Sequence, residues 1–359
     1  MYFKHKVFGK LFNIFSKSSI DDNLVSFIID SNKSFSGNLD FVKRELEKRG
    51  NFEFNYFYKD KFSINKLKKL AKSHYVFLND NFFPLAFMNF NKDTTVIQLW
   101  HAPGAFKKFG ASIEDKEMLL KVSASTDYLI TTSKNVENYY AEAFQIKDKS
   151  KIKPLGLPRA DYYFENHDLD NLKKLFYKKY ALDENKKIIL YAPTFRENEE
   201  FNNVFNYLNL KEFNENLSDD YILVLRLHPK IKNFYGANIT DSEFYIDCSD
   251  YENEQELLLI SDILITDYSS VMIEFSLLKK PIIFFAYDLD NYLSNERGFY
   301  IDYKNDLPGA IVYDSNQLIE CLSCDMPLPD FENFLKTQFD YIDGNSSKRV
   351  VDFILNGGI

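Results

Sequence analysis

Two histidines each close an apolar run and open onto a proline-containing turn. They stand in Trp100-His-Ala-Pro-Gly104 and in Arg226-Leu-His-Pro229. An imidazole, with a reference pKa of about 6.5, takes or gives a proton near neutrality. His101 could therefore deprotonate an attacking hydroxyl, and His228 could donate to a phosphate oxygen. A third cluster is Ile263-Leu-Ile-Thr-Asp-Tyr-Ser-Ser-Val-Met-Ile-Glu274. It places the hydroxyls of Ser269 and Ser270 where a helix should begin, and unpaired N–H groups at such a terminus favour phosphate. Asp267 could cap that helix, or orient His228 or a ligand hydroxyl. Glu274, one turn further, could reach a ribose hydroxyl. In Pro193-Thr-Phe-Arg196, Thr194 and Arg196 follow another apolar run, and the planar fork of arginine matches phosphate oxygens. Gly104, Lys107 and Lys108 sit where an anionic acceptor could be met, and Arg297 and Gly298 form one further loop candidate. Arg226, inside a strand, must find a partner and reads as structural. Each residue alone also has a plainer role as a structural histidine, a helix cap, a surface ion pair or a solvated lysine. Together they describe a site that holds a pyrophosphate and transfers one of its phosphoryl groups.

Other chemistries lack their residues. The chain has no P-loop, no GxGxxG fingerprint and no serine nucleophile elbow,. No His, Cys and carboxylate grouping shows metal spacing. The phosphates are then expected to be held by helix ends, hydroxyls and arginine, with no cofactor and no tightly bound metal. Cys321 and Cys324 have CxxC spacing without a second pair, and Cys248 stands alone. They read as incidental thiols of a reducing, cytoplasmic compartment.

The elements that must position these residues follow a βα rhythm. Strands are expected at Leu24–Asp30, Phe52–Tyr58, His74–Asn79, Thr94–Trp100, Asp127–Ser133 and Lys151–Gly156. Helices are expected near Leu39–Lys48, Ile64–Lys72 and Lys134–Phe144, the first entered through Ser34, Ser36 and Gly37. The rhythm pauses at Gly156-Leu-Pro-Arg-Ala-Asp161. A second series follows at Lys187–Ala192, Tyr221–Leu227, Phe244–Asp247, Ile263–Thr266 and Pro281–Ala286, with helices near Glu252–Ser261 and Ser269–Leu278. This is the pattern of parallel sheets covered on both faces. It divides the chain into a basic segment 1–20, a first Rossmann-like domain 21–157 and a second 158–359, whose last helix could pack back on the first. The polar clusters fall at strand ends, where such sheets bind ligands, here across an expected interdomain cleft.

The 359 residues are 45% hydrophobic, enough for two cores, and the net charge of −9 argues against nucleic acid as a partner,. The 35 Phe and 24 Tyr read as core filling, since they are not interleaved with basic residues along one stripe,. No stretch approaches the ~20 apolar residues of a membrane span. The N-terminal segment nevertheless repeats Phe3, Val7, Leu11 and Phe15 at helical spacing, with Lys6, Lys10 and Lys17 on another face. It could lie on an anionic bilayer, as a peripheral contact with the inner face of the cytoplasmic membrane, or dock on its own domain.

The ordered motifs resemble the bacterial CDP-glycerol glycerophosphotransferases of teichoic-acid and capsule synthesis. The resemblance rests on Gln98–Gly110, Gly156–Asp161, Leu190–Arg196, Arg226–Pro229, Asp262–Ser270, Pro281–Asp288 and Arg297–Tyr300. It implies a GT-B fold of two Rossmann-like domains. It also implies transfer of glycerol phosphate, or a related alditol phosphate, from a CDP-alditol to a hydroxyl of a polymer or lipid-linked acceptor, with release of CMP. In that family His101 matches the acceptor-side histidine and His228 the donor-side one, while Arg196, Ser269 and Ser270 match pyrophosphate-binding positions. The common motif Trp-His-Gly-Thr-Pro is here Trp-His-Ala-Pro-Gly, which keeps the base and leaves the acceptor open. A sugar-nucleotide glycosyltransferase on the same fold and a catalytically silent polymer-binding protein are the alternative readings.

Overall fold

The computed structural model describes residues 3–30, 35–112, 116–228, 244–296, 298–324 and 329–358. Ser34, Pro229 and Arg297 lie outside the described residues. The chain forms two compact units, Met1–Phe164 with Thr337–Ile359, and Glu165–Lys336.

The first unit carries a sheet of β1 (Asp21–Ile29), β2 (Glu53–Tyr58), β3 (Ser73–Leu78), β4 (Thr95–Gln98), β5 (Tyr128–Thr131) and β6 (Ile152–Pro154). Their order is β2-β1-β3-β4-β5-β6, and every pairing is parallel. A parallel sheet needs apolar cover on both faces. One face receives Leu39, Val42 and Leu46 of helix Asn38–Glu47, with Val350, Val351 and Ile354 of the C-terminal helix Ser346–Leu355. The other receives Leu67 and Leu70 of helix Ile64–Lys72 and Phe12 of the N-terminal helix Phe3–Phe15.

The Gly156–Asp161 motif explains how the C-terminal helix returns. The Asp161 carboxylate accepts the Ser346 N–H at 2.8 Å and the Ser347 N–H at 2.7 Å, which satisfies orphan donors at that helix start,. Gly156 has φ +104°, and a Cβ there would stand 2.4 Å from Ser346 Oγ. Only glycine allows both the conformation and the approach.

In the second unit, β7 (Lys187–Ala192), β8 (Tyr221–Leu225), β9 (Tyr245–Asp247), β10 (Ile263–Thr266), β11 (Ile282–Phe285) and β12 (Ala310–Val312) form a parallel sheet of order β12-β11-β10-β7-β8-β9. The sequence pattern did not reveal β12, whose three residues are too few for a periodic signal. It docks because Gly309 has no side chain: a Cβ there would meet Ile282 O at 2.2 Å.

The N-terminal helix buries Phe12 and packs Phe8, Leu11 and Phe15 beside it against its own unit. Phe3 (78% exposed), Val7 and Ile14 point outward, and Lys4, Lys6 and Lys10 are exposed with them. The inner face is therefore Phe8, Leu11, Phe12 and Phe15, while Phe3 and Val7 of the i+4 series turn away from the unit. Among the described residues no helix is long and apolar enough to cross a membrane.

Candidate active site

In the first unit the site is built where β4 ends. β4 lies between β3 and β5, so its carboxyl end is flanked on both sides. Trp100 then adopts φ +57°, an uncommon conformation for a residue with a bulky side chain,. Its backbone is held from two sides. Gln98 Oε1 accepts the Trp100 N–H at 2.9 Å, and the buried Asn38 carboxamide donates to Trp100 O at 2.8 Å. The other end of that carboxamide, Oδ1, accepts the Arg159 N–H at 2.9 Å. Asn38 thus pins three segments together: the start of helix Asn38–Glu47, the His101 turn and the Gly156–Asp161 motif. Sequence reasoning missed it, because an asparagine at the start of a helix reads as an ordinary cap.

The turn aims His101. Its ring stacks on Trp100 with centroids 4.2 Å apart, and Nδ1 lies 3.2 Å from Asn79 O. A carbonyl can only accept, so this contact favours the neutral tautomer with its proton on Nδ1. That tautomer suits a general base, and the ring is only half-buried,. Gly104, buried and at φ +53°, closes the turn, with its carbonyl 2.8 Å from the Tyr140 hydroxyl. Lys107 is half-exposed and Lys108 exposed.

The second unit gathers the donor-side candidates at the carboxyl ends of β7, β8 and β10. His228 is exposed two residues after Arg226, with its ring 5.6 Å from that of Phe195. Arg226 is structural as expected: its Nη1 donates to Tyr251 O at 3.0 Å and to Cys248 O at 3.3 Å. Ser269 and Ser270 are half-buried and stand before a helix shorter than expected, Val271–Ser276. Ser269 Oγ accepts the Val271 N–H at 3.3 Å, whereas the Ser270 hydroxyl makes no capping bond. The Thr194 hydroxyl is buried without a hydrogen-bond partner among the described residues. An orphan of this kind costs roughly 1–3 kcal/mol unless a ligand or water satisfies it.

Arg196 differs from the expectation. Its side chain is 0% exposed, and its fork is spent on the protein itself. Nε donates to Asp288 Oδ2 and Nη2 to Asp288 Oδ1, both at 2.8 Å. Nη1 donates to Asp267 Oδ2 at 2.8 Å and also to Thr194 O. Burial alone would lower the guanidinium's pKa, but Asp267 and Asp288 outweigh it and hold it above the ordinary value,. An arginine so enclosed is not a surface for phosphate. It ties the ends of β7, β10 and β11 together.

Asp267 is likewise neither a helix cap nor a partner exposed to ligand. It is 0% exposed, and its carboxylate accepts the Thr194 N–H at 2.9 and 3.1 Å and the Tyr268 N–H. Glu274 is 2% exposed and so lies inside the unit, beneath the rim where a ribose contact was expected. Gly298 is half-buried, and Phe299 beside it packs 5.9 Å from Tyr268. Asp288, which the sequence reading did not select, is the residue that completes the Arg196 cluster. Its sequence signals are its place three residues after β11, at the same sheet edge as the other clusters, and its position at the close of the Pro281–Asp288 motif.

The family model described as CDP-glycerol:poly(glycerophosphate) glycerophosphotransferase matches residues 10–356. A teichoic acid poly(ribitol-phosphate) polymerase of Bacillus spizizenii is 35% identical over 97% of this chain and 59% of its own length, so the chain spans little more than half of that relative. A teichoic acid glycerol-phosphate primase of Bacillus subtilis is 38% identical over 78% of this chain and 73% of its own. Among solved structures, the wall teichoic acid polymerase TagF superposes with a TM-score of 0.82 at 26% identity, covering 99% of this chain and 94% of that one. The fold is accordingly GT-B-like, with one Rossmann-like sheet in each unit. By the extent of the family match and the order of its motifs, the chain belongs to the CDP-glycerol:poly(glycerophosphate) glycerophosphotransferase family.

Proposed function

We propose that this chain transfers glycerol phosphate, or a related alditol phosphate such as ribitol phosphate, from a CDP-alditol to a hydroxyl of a teichoic-acid-like or capsular polymer or its lipid-linked primer. The observation that carries the reading is the state of His101. It follows an interior strand and is half-buried, with Nδ1 3.2 Å from Asn79 O, a contact that favours Nε2 as the basic nitrogen,.

In the reaction, Nε2 takes the acceptor hydroxyl's proton while that oxygen bonds to the β-phosphorus. The bond from the β-phosphorus to the bridging oxygen breaks, and CMP leaves with the bridging oxygen. His228, the Ser269 and Ser270 hydroxyls and Thr194 Oγ1 donate to phosphoryl oxygens as charge shifts. Donors fixed in advance contribute several kcal/mol to such a step. Arg196 contributes through the positions of Asp267 and Thr194 and not by contact. The reading assigns no resident metal. Lys107 and Lys108 face the anionic acceptor.

The test is to incubate the protein with CDP-glycerol, CDP-ribitol and common sugar nucleotides, each with a polyol-phosphate primer, and to measure nucleotide release. CMP released only from a CDP-alditol supports the reading. Release from a sugar nucleotide instead would favour a glycosyltransferase.

We further propose that the outward stripe Phe3, Val7 and Ile14, with Lys4, Lys6 and Lys10, rests on an anionic bilayer. The inner face of that helix is already occupied by its own unit, so the stripe remains for an outside surface,. Val7→Glu with Ile14→Glu should abolish co-sedimentation with phosphatidylglycerol vesicles. Unchanged sedimentation would reject the contact.

A further inference from the structure

We propose that Asp288 is a positioning residue for the donor turn Asp267–Ser270, acting through Arg196. This inference rests on the proposed reaction.

The geometry is a relay of fixed directions. A guanidinium is planar, so fastening two of its N–H groups to one carboxylate fixes the direction of the others. Asp288 fastens Nε and Nη2, each at 2.8 Å. Nη1 is thereby aimed at Asp267 Oδ2, 2.8 Å away. Asp267 in turn holds the N–H groups of Thr194 and of Tyr268, the residue before Ser269. A second link closes the loop, because the Tyr268 hydroxyl donates to Asp288 Oδ1 at 2.9 Å. The tyrosine rings of Tyr268, Tyr287 and Tyr292 surround the guanidinium at 4.8, 5.3 and 5.5 Å from its carbon, leaving it no other orientation. Burial, with Asp288 and Asp267 nearby, raises the Tyr268 phenol, which stays a donor.

Charge does not explain the cluster. Two carboxylates, 0% and 5% exposed, meet one guanidinium. The surplus is negative, beside a turn proposed to meet an anionic donor. One carboxylate would balance the guanidinium, so the second is accounted for by the orientation it imposes.

That contrast supplies the experiment. Asp288→Asn keeps the shape and deletes the surplus charge. If Asp288 acted through charge, this variant would hold CDP-glycerol more tightly at undiminished kcat. The positioning role predicts a kcat lower by about 10- to 100-fold, the cost of a slightly misplaced donor, with KM for CDP-glycerol unchanged or lower. Tyr268→Phe, which keeps the ring and loses one bond, should lower kcat a few-fold in the same manner, and carries the test if Asp288→Asn does not fold. Leu318→Ala, a cavity in the same unit's core, should lower the melting temperature without lowering kcat,. Wild-type kcat in the folded Asp288 or Tyr268 variant would overturn the inference, and so would a parallel loss of kcat in Leu318→Ala. Failure of the wild-type protein to release CMP from any CDP-alditol would instead overturn the reaction itself.

Discussion

The two groups of candidate residues, one in each unit, solve one problem by opposite means. In the first unit, the turn that carries His101 is fixed by neutral groups: the Asn38 and Gln98 carboxamides hold the backbone of Trp100 on both sides. In the second, the turn that carries Ser269 and Ser270 is fixed by buried ions, Arg196 with Asp267 and Asp288. A carboxamide bridge holds a turn with modest net energy and little sensitivity to its surroundings. A buried ion cluster holds it rigidly, but loss of its one cation leaves two uncompensated carboxylates in the interior. The acceptor half should therefore tolerate change that the donor half cannot.

Removing the cation tests the contrast most severely. Arg196→Met leaves two buried carboxylates without their partner and should cost about 3–5 kcal/mol, read as a large fall in the urea midpoint of the second unit's transition. Had Arg196 been a phosphate contact at the surface, the same change would weaken donor binding and leave stability nearly untouched. Asn38→Ala should cost less, roughly 1–3 kcal/mol, because it strands Trp100 O and the Arg159 N–H without introducing a charge. Its turnover should fall with donor affinity retained, in a titration of CDP-glycerol against the folded variant.

The smallest effect concerns pH. Lys280 Nζ donates to Leu259 O and Ser261 O, and burial lowers its pKa from 10.5 to about 8. Between those values the unfolded chain binds the proton and the folded chain does not. Lys280 therefore destabilises below pH 8, and that penalty is relieved as pH rises toward 10.5,. Lys280→Met should flatten the rise in stability over that window, measured by urea unfolding at pH 8 and 9.5. An unchanged slope would show that burial does not lower this amine's pKa.

Much of this was legible in the sequence, for identifiable reasons. Strands buried on both faces leave long apolar runs, so β1, β7 and β10 stood out, and the polar residues just beyond them marked the carboxyl ends of the sheets. His101 and His228 were legible because rare residue types stood at those ends. What failed to show was pairing across distance. Arg196 has the same local sequence whether its fork meets phosphate or two aspartates, and Asp288 is 92 residues away from it. Asn38 and Arg159, 121 residues apart, are joined by one hydrogen bond that no local pattern announces. The strand β12 was hidden for another cause, since a three-residue edge strand carries too few side chains to establish a period.

The central claim is that His101 is the base for attack on the donor. It is tested most directly by measuring, in one preparation of His101→Ala, both CDP-glycerol binding by calorimetry and CMP release in the presence of a polyol-phosphate primer. Donor affinity should stay within about twofold of wild type while turnover falls by about a thousandfold, within the range set by loss of a general base. Turnover comparable to wild type would remove His101 from the chemistry and contradict the account.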